Sequence, residues 1–304
     1  MDFNEQEQPP TEASDPRYHG IDEWPADQVL LAVLAAQESA VTAIRLAIPA
    51  MALAAEEAAH RLTDPKGRIL YIGAGTPGRL GVQDGVELAP TYGWLRTEFV
   101  IAGREKALTQ SVEGAEDDAA AAEAQIAALN LTSADVCIAV SASGQTPFTV
   151  AACKAAQTAG AQTIGISSNE NSPLLQEAEH KVFIASGPEP VAGSTRMNAG
   201  TAQKVALNMI STLIMMRLGH VYDGLMVDVQ LTNAKLRDRA EKMIATITKC
   251  TEDEAVATLE KSGGKVKLAV LIVKGLTPEQ GVERLAQNGG NLRRVLESLQ
   301  PPSP

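Results

Sequence analysis

Short apolar runs alternate with helix-forming segments through the middle of the chain, and this alternation restricts the fold more than any other feature. The runs are 68–72, 98–102, 136–140, 163–167 and 181–185. Most are apolar nearly throughout rather than apolar at every second position, as a strand covered on both faces requires. Segments near 118–129, 147–159 and 172–179 have the composition of helices. Buried strands separated by helices close into a parallel sheet with helices packed on its faces. The expected fold is therefore α/β, a flavodoxin-like parallel five-stranded sheet with N-terminal helices and a small C-terminal helical subdomain.

The flanks set the domain boundaries. Residues 1–24 are polar and interrupted by prolines, a flexible arm by composition. Residues 25–62 are rich in Ala, Leu, Glu and Gln, and two helices divided at Pro49 are expected there. The sheet domain is placed at 63–222 and closes with a long helix from about Thr195 to Leu218. The C-terminal subdomain, 223–300, is expected to hold three or four short helices and at most one strand, at 266–273. Thr251-x-x-Glu254 and Thr277-x-x-Gln280 open two of those helices as capping boxes. Residues 301–304 are expected to be a disordered tail.

Composition excludes several classes of partner. Aromatic residues are 3% of the chain, too few for base stacking, and the net charge of −11 opposes binding to nucleic acid or an anionic membrane. No apolar run reaches the length of a membrane span, and no secretory h-region is found at the start. Cys137, Cys153 and Cys250 are far apart, and His19, His60, His180 and His220 lack ligand spacing. A cytoplasmic protein without a metal or other cofactor is expected.

Two glycine- and hydroxyl-rich loops follow two of the strands. Gly73-Ala74-Gly75-Thr76-Pro77-Gly78-Arg79 follows the first, and Ser141-Ala142-Ser143-Gly144-Gln145-Thr146-Pro147 follows the third. A strand that turns through such a loop into a helix presents backbone amides and hydroxyls to an anion, most often a phosphate. The first loop also has the G-x-G-x-x-G spacing of a dinucleotide site. Its helix is expected to break at Gly81, Gly85, Pro90 and Gly93, and Ala102-Gly103-Arg104 puts no carboxylate at the ribose position. A phosphorylated small molecule fits better than a nicotinamide or flavin.

At the second loop the chain resembles a sugar isomerase (SIS) domain, in which that loop holds the phosphate of a phosphosugar. The ordered blocks narrow the resemblance. Gly73-Ala74-Gly75-Thr76, Gly78-Arg79-Leu80-Gly81, Asp84, Glu87 and Pro90-Thr91-Tyr92-Gly93 are similar to the N-acetylmuramic acid 6-phosphate etherases. So are Val112 to Asp117, Gly193-Ser194-Thr195-Arg196, Gly200-Thr201-Ala202-Gln203-Lys204 and the segment from Leu225 to Leu236. The chain departs from the usual pattern at Pro77, at Gly85-Val86-Glu87-Leu88-Ala89 and at Asn198.

The resemblance implies removal of D-lactate from carbon 3 of the sugar by two carboxyl groups, with no metal. It implies Glu87 as the acid assisting lactate departure and Glu116 as the base at carbon 2. From the residues alone, Glu113, Glu116, Asp117 and Asp118 could equally sit together at a helix N-terminus because the macrodipole favours acids there. Substrate contacts are expected from Gly75, Thr76, Gly78, Arg79, Ser141, Ser143, Gly144, Gln145, Thr146, Ser194, Arg196 and Lys204. For Arg79, Arg196, Lys204 and Lys235, neutralising the substrate and fixing loops by salt bridges stand as equal alternatives. An aldose–ketose isomerase and a non-catalytic phosphosugar-binding regulator stay open on the same fold. The apolar surfaces of 25–62 and of the helix at 195–218 further imply a homodimer, each chain helping to complete its neighbour's pocket.

Overall fold

The computed structural model describes residues 9–299. The expected tail at 301–304 and the first eight residues of the arm lie outside them. The chain forms two compact units. One comprises the chain up to Gly85 together with Arg96–Ser211, and the other comprises Val86–Leu95 and the chain from Thr212 onward.

The first unit is built on five strands, β1 (Ile69–Gly73), β2 (Thr97–Ile101), β3 (Val136–Val140), β4 (Gln162–Ser167) and β5 (His180–Phe183). They pair in the order β2-β1-β3-β4-β5, every pair parallel. Strands β1, β3 and β4 are buried at every residue; β1 and β3 accordingly read as unbroken apolar runs, while β4 buries the polar Gln162, Thr163 and Ser167 as well. Helices α4 (Ala119–Leu129), α5 (Pro147–Thr158) and α6 (Pro173–Glu177) connect the later strands. Asp135 at the foot of β3 is buried. It accepts from the Arg68 backbone amide and Nε, both at 3.0 Å, and from the Thr132 amide at 2.8 Å.

Three expectations are corrected within this unit. Residues 25–62 form one helix rather than two, α1 (Ala26–Arg61), which runs through Pro49. Pro49 lies on the exposed side, where the carbonyl left without its amide partner can bond water. The helix after the first loop is broken at neither Gly81 nor Gly85: α2 spans Gly75–Val86. Its glycines serve packing, since a Cβ on Gly85 would stand 2.5 Å from the Phe99 ring and one on Gly81 3.1 Å from Tyr71. Finally, α1 contains an 18-residue window long and apolar enough, by length and composition, to cross a membrane, with a mean hydropathy of 1.6 and 17% of that window buried. Its buried stripe (Ala36, Ala40, Ile44, Ala47, Met51, Ala54, Ala58) follows helical spacing and faces its own unit.

The described part of the arm has defined local structure. Short 3-10 turns occupy Pro16–Tyr18 and Ile21–Glu23, the first capped by the Asp15 carboxylate accepting from the Arg17 amide at 2.9 Å. Helix α7 spans Asn198–Arg217.

The second unit contains α3 (Leu88–Tyr92), a hairpin of β6 (Val221–Tyr222) and β7 (Leu225–Met226), and five helices among the described residues. These are α8 (Ala234–Thr248), α9 (Glu252–Lys261), α10 (Val266–Val273), α11 (Pro278–Gln287) and α12 (Leu292–Ser298). The hairpin was not anticipated, although Asp223-Gly224 is a strong turn signal; both residues have positive φ, 49° and 76°. The strand expected at 266–273 is a helix. An eight-residue apolar run has no decisive periodicity, and here Val266–Leu271 is buried among helices. Lys267 within it sends Nζ to the Gly290 carbonyl at 2.7 Å and pairs with Asp228. Thr277 and Gln280 form the complete capping box, whereas Thr251 supplies only its own half.

Candidate active site

The strand order reverses direction between β1 and β3, which places the loops after those strands at the crevice where open α/β sheets bind ligands. The approach of α2 to β1 is very close: a Cβ on Gly78 would stand 2.9 Å from the Gly73 carbonyl. Gly78 thus brings the start of α2 onto the strand end and leaves Gly75 and Thr76 at the crevice.

The second loop is held by its own hydroxyls. Ser141 Oγ lies 2.9 Å from Thr146 Oγ1 and accepts from the Gly144 amide at 3.0 Å, while Ser143 Oγ accepts from the Gln145 amide at 3.1 Å. Gly144 has φ of 65°, and a Cβ there would collide with Ser167 and Ser172 behind the loop. Thr146 is the N-cap of α5 but makes no side-chain capping bond. That leaves amides of the first turn of α5 available to an anion.

A cleft of about 460 Å³ opens over both loops. Of the expected substrate contacts, Gly75, Thr76, Ser141, Ser143, Gln145 and Thr146 line it, together with Glu116. The acidic cluster is divided by its local structure. Asp118 caps α4, accepting from the Ala121 amide at 2.8 Å, whereas Glu116 and Asp117 sit in a 3-10 turn and line the cleft. The macrodipole therefore accounts for Asp118, and Glu116 and Asp117 need another explanation.

Other expected contacts stand elsewhere. Gly78 and Gly144 shape the loops from behind. Arg79 donates to the carbonyls of Ala107 and Gln110 at 2.8 and 3.1 Å, fixing the segment that precedes the acidic turn. Lys204 bonds Asn208, which donates to buried Asp84 at 2.5 Å, and Asp84 also accepts from Tyr71 at 2.6 Å. Ser194 and Arg196 belong to the loop before α7, but it is Gly193 and Thr195 of that loop that line the cleft. Glu87 is exposed at the N-cap of α3 in the second unit, with no side-chain capping bond.

Glu12, Asp117, Gly193 and Thr195 are cleft residues not named among the expected contacts. Asp117, Gly193 and Thr195 lie in sequence blocks that carried the resemblance, so position in a block was the available signal, whereas Glu12 belongs to the N-terminal arm, where composition gave none. The loop bearing Gly193 and Thr195 is pinned by Glu189, whose buried carboxylate accepts from the amides of Asn198 and Ala199 at 2.8 and 3.0 Å. Burial raises its pKa, and the two amide bonds oppose that rise. Among the described residues one trio could hold a metal, Glu57, Glu179 and His180. Arg61 pairs with both glutamates, and Glu57 reaches His180 at 3.1 Å, so the trio is an ion-pair cluster.

A flavodoxin-like sheet whose switch-point crevice is edged by a hydroxyl-rich loop has the architecture of an α/β ligand-binding domain, and the family matches make it a SIS domain. The model of the SIS domain matches residues 115–213, and that of the glucokinase regulatory protein N-terminal SIS domain matches residues 51–157. The N-acetylmuramic acid 6-phosphate etherase of Deinococcus radiodurans is 45% identical over 289 residues, 94% of this chain and 94% of that protein. That of Staphylococcus aureus (strain USA300) is 40% identical over 294 residues, 96% of this chain and 98% of that one. The chain belongs to the N-acetylmuramic acid 6-phosphate etherase family. Among solved structures, a phosphoheptose isomerase from Francisella tularensis aligns with a TM-score of 0.47 at 16% identity, covering 65% of this chain and 98% of that one.

Proposed function

We infer that this chain cleaves the lactyl ether of N-acetylmuramic acid 6-phosphate with water, giving N-acetylglucosamine 6-phosphate and D-lactate, as a lyase-type step of peptidoglycan recycling. The observation that carries this reading is the full-length relation, 45% identity over 94% of the chain, to an etherase of that substrate. The cleft supports it chemically, since hydroxyls and amides suited to an anion share one crevice with the carboxylates of Glu116 and Asp117.

In the open-chain sugar the aldehyde acidifies the proton on carbon 2, and the lactyl ether lies β to that carbonyl. Glu116 takes the carbon-2 proton and Glu87 protonates the departing lactate oxygen. Water then adds across the resulting double bond. The two groups need separated proton affinities rather than a Lewis acid. Release of D-lactate from N-acetylmuramic acid 6-phosphate by the pure protein tests the reading. No lactate above background at high enzyme concentration removes it.

The enzyme acts as a cytoplasmic homodimer in this reading. Three free thiols accord with a reducing compartment. Leu31, Leu46 and Leu53 of α1 are 64%, 85% and 64% exposed in the single chain, an apolar face suited to a second copy. Among the described residues neither lysine nor arginine lines the cleft, so a basic group from the neighbouring chain would complete a pocket for a dianionic phosphate. Analytical ultracentrifugation is expected to give twice the 32.0 kDa chain mass. A fully active species at the mass of one chain excludes both the dimer and the shared pocket.

A further inference from the structure

The N-terminal segment delivers to the cleft a carboxylate that the proposed acid–base pair does not use. The amides of Glu12 and Ala13 both donate to the Pro9 carbonyl, at 2.8 and 3.2 Å, and close a turn. Thr11 within that turn is 1% exposed. Its hydroxyl accepts from Asn169 Nδ2 at 3.1 Å, and the same nitrogen donates to the Ser143 carbonyl at 3.0 Å. One buried amide therefore ties a segment 158 residues away in sequence to the loop expected to hold the phosphate. The next residue, Glu12, lines the cleft with Thr76, Glu116, Ser143 and Thr195. Gly193 leaves room for it: a Cβ there would stand 3.2 Å from Glu12 Oε2.

An ionised carboxylate offers only acceptors. Beside a phosphate dianion it is repelled, so it has no part in holding that group. The donors of a sugar phosphate lie on its other portion, the hydroxyls and any acylamino N–H. We propose that Glu12 is a specificity-determining residue, held in register with the phosphate loop through Thr11 and Asn169, that accepts a hydrogen bond from the hydroxyl or acylamino portion of the bound sugar. The identity of the ligand rests on the etherase reading; the placement of Glu12 does not.

The test is calorimetric titration of the full chain and its Glu12→Gln variant with N-acetylglucosamine 6-phosphate and, separately, inorganic phosphate. Glu12 is exposed, so the variant should fold and melt as the parent does. The variant is expected to bind the sugar phosphate about tenfold or more weakly, the worth of a hydrogen bond to a charged group. Inorganic phosphate should bind it equally well or more tightly, because a repelling charge is gone. Parallel weakening of both ligands assigns Glu12 to loop support and overturns the proposal, as does unchanged binding of both. Lactate release by the parent protein is measured alongside. Lactate release with unchanged Glu12→Gln binding overturns this proposal alone; no lactate with the two ligands separated overturns the etherase reading alone.

Discussion

Glu116→Gln is expected to lower turnover of N-acetylmuramic acid 6-phosphate by about two to four orders of magnitude, the usual worth of a positioned acid or base. Glu87→Gln should cost a similar factor, and the two variants are told apart by isotope exchange. If Glu116 takes the carbon-2 proton, its variant loses exchange of that proton with deuterated solvent. The Glu87 variant keeps it, since the proton can still leave and return while the ether bond stays intact. Both carboxylates are exposed, so neither change should disturb folding. Equal loss of exchange in both variants would merge or reverse the two roles. Asp117→Asn serves as the neighbouring control, because Asp117 lines the same cleft from the same 3-10 turn.

The second large effect is on stability. Asp135→Ala should destabilise the sheet-bearing unit by about 3–5 kcal/mol, the range for removing one partner of a buried ion pair. The Asp135 side chain is 1% exposed and receives both the Arg68 guanidinium and the amides of Arg68 and Thr132. Burial by itself pushes this carboxyl up. The hydrogen bonds and charge of Arg68, with the backbone amides, outweigh burial and hold it below the ordinary aspartate value of 3.8. A group lowered in this way stabilises the fold above its unfolded pKa and loses that contribution as pH falls through its folded value. Urea titrations should therefore show the gap between parent and variant widest near neutrality and closing in acid below pH ~4. A gap of the same size at every pH would show that packing, not the charge, is what Asp135 supplies.

The sheet was legible because its physics is local. Ile69–Gly73 and Val136–Val140 are buried on both faces, so they must be apolar at every position, and each turns into its helix through residues that only a tight turn requires. The hydroxyl-rich loop after β3 was legible for the same reason: Ser141 bonds Gly144 and Thr146, and Ser143 bonds Gln145, all within six residues. Helix α1 shows where local reading fails. Pro49 ordinarily ends a helix, yet here it lies on the solvent side of a helix whose other face is packed, and tertiary burial outweighs the one lost hydrogen bond. Val266–Val273 fails in the opposite direction, since a short apolar run becomes strand or helix according to what covers it.

The division of labour within the acidic and basic residues could not be read from spacing. Glu116, Asp117 and Asp118 are adjacent, and only the backbone turn sends Asp118 to cap α4 while the other two meet the cleft. Arg79 and Lys204 lie in matched blocks, but their long side chains are committed to the Ala107 and Gln110 carbonyls and to Asn208. The parallel sheet and the two loops at its switch point could be read residue by residue, because burial on both faces and tight turns constrain residue type at each position, and the ordered motif blocks carried the family. That Glu12, Gly193 and Thr195 share a cleft with Ser143 emerges from the folded chain alone. Contacts such as the one Asn169 makes between Thr11 and Ser143 join residues far apart in the chain, and they depend on where folded backbones bring polar atoms rather than on any periodicity.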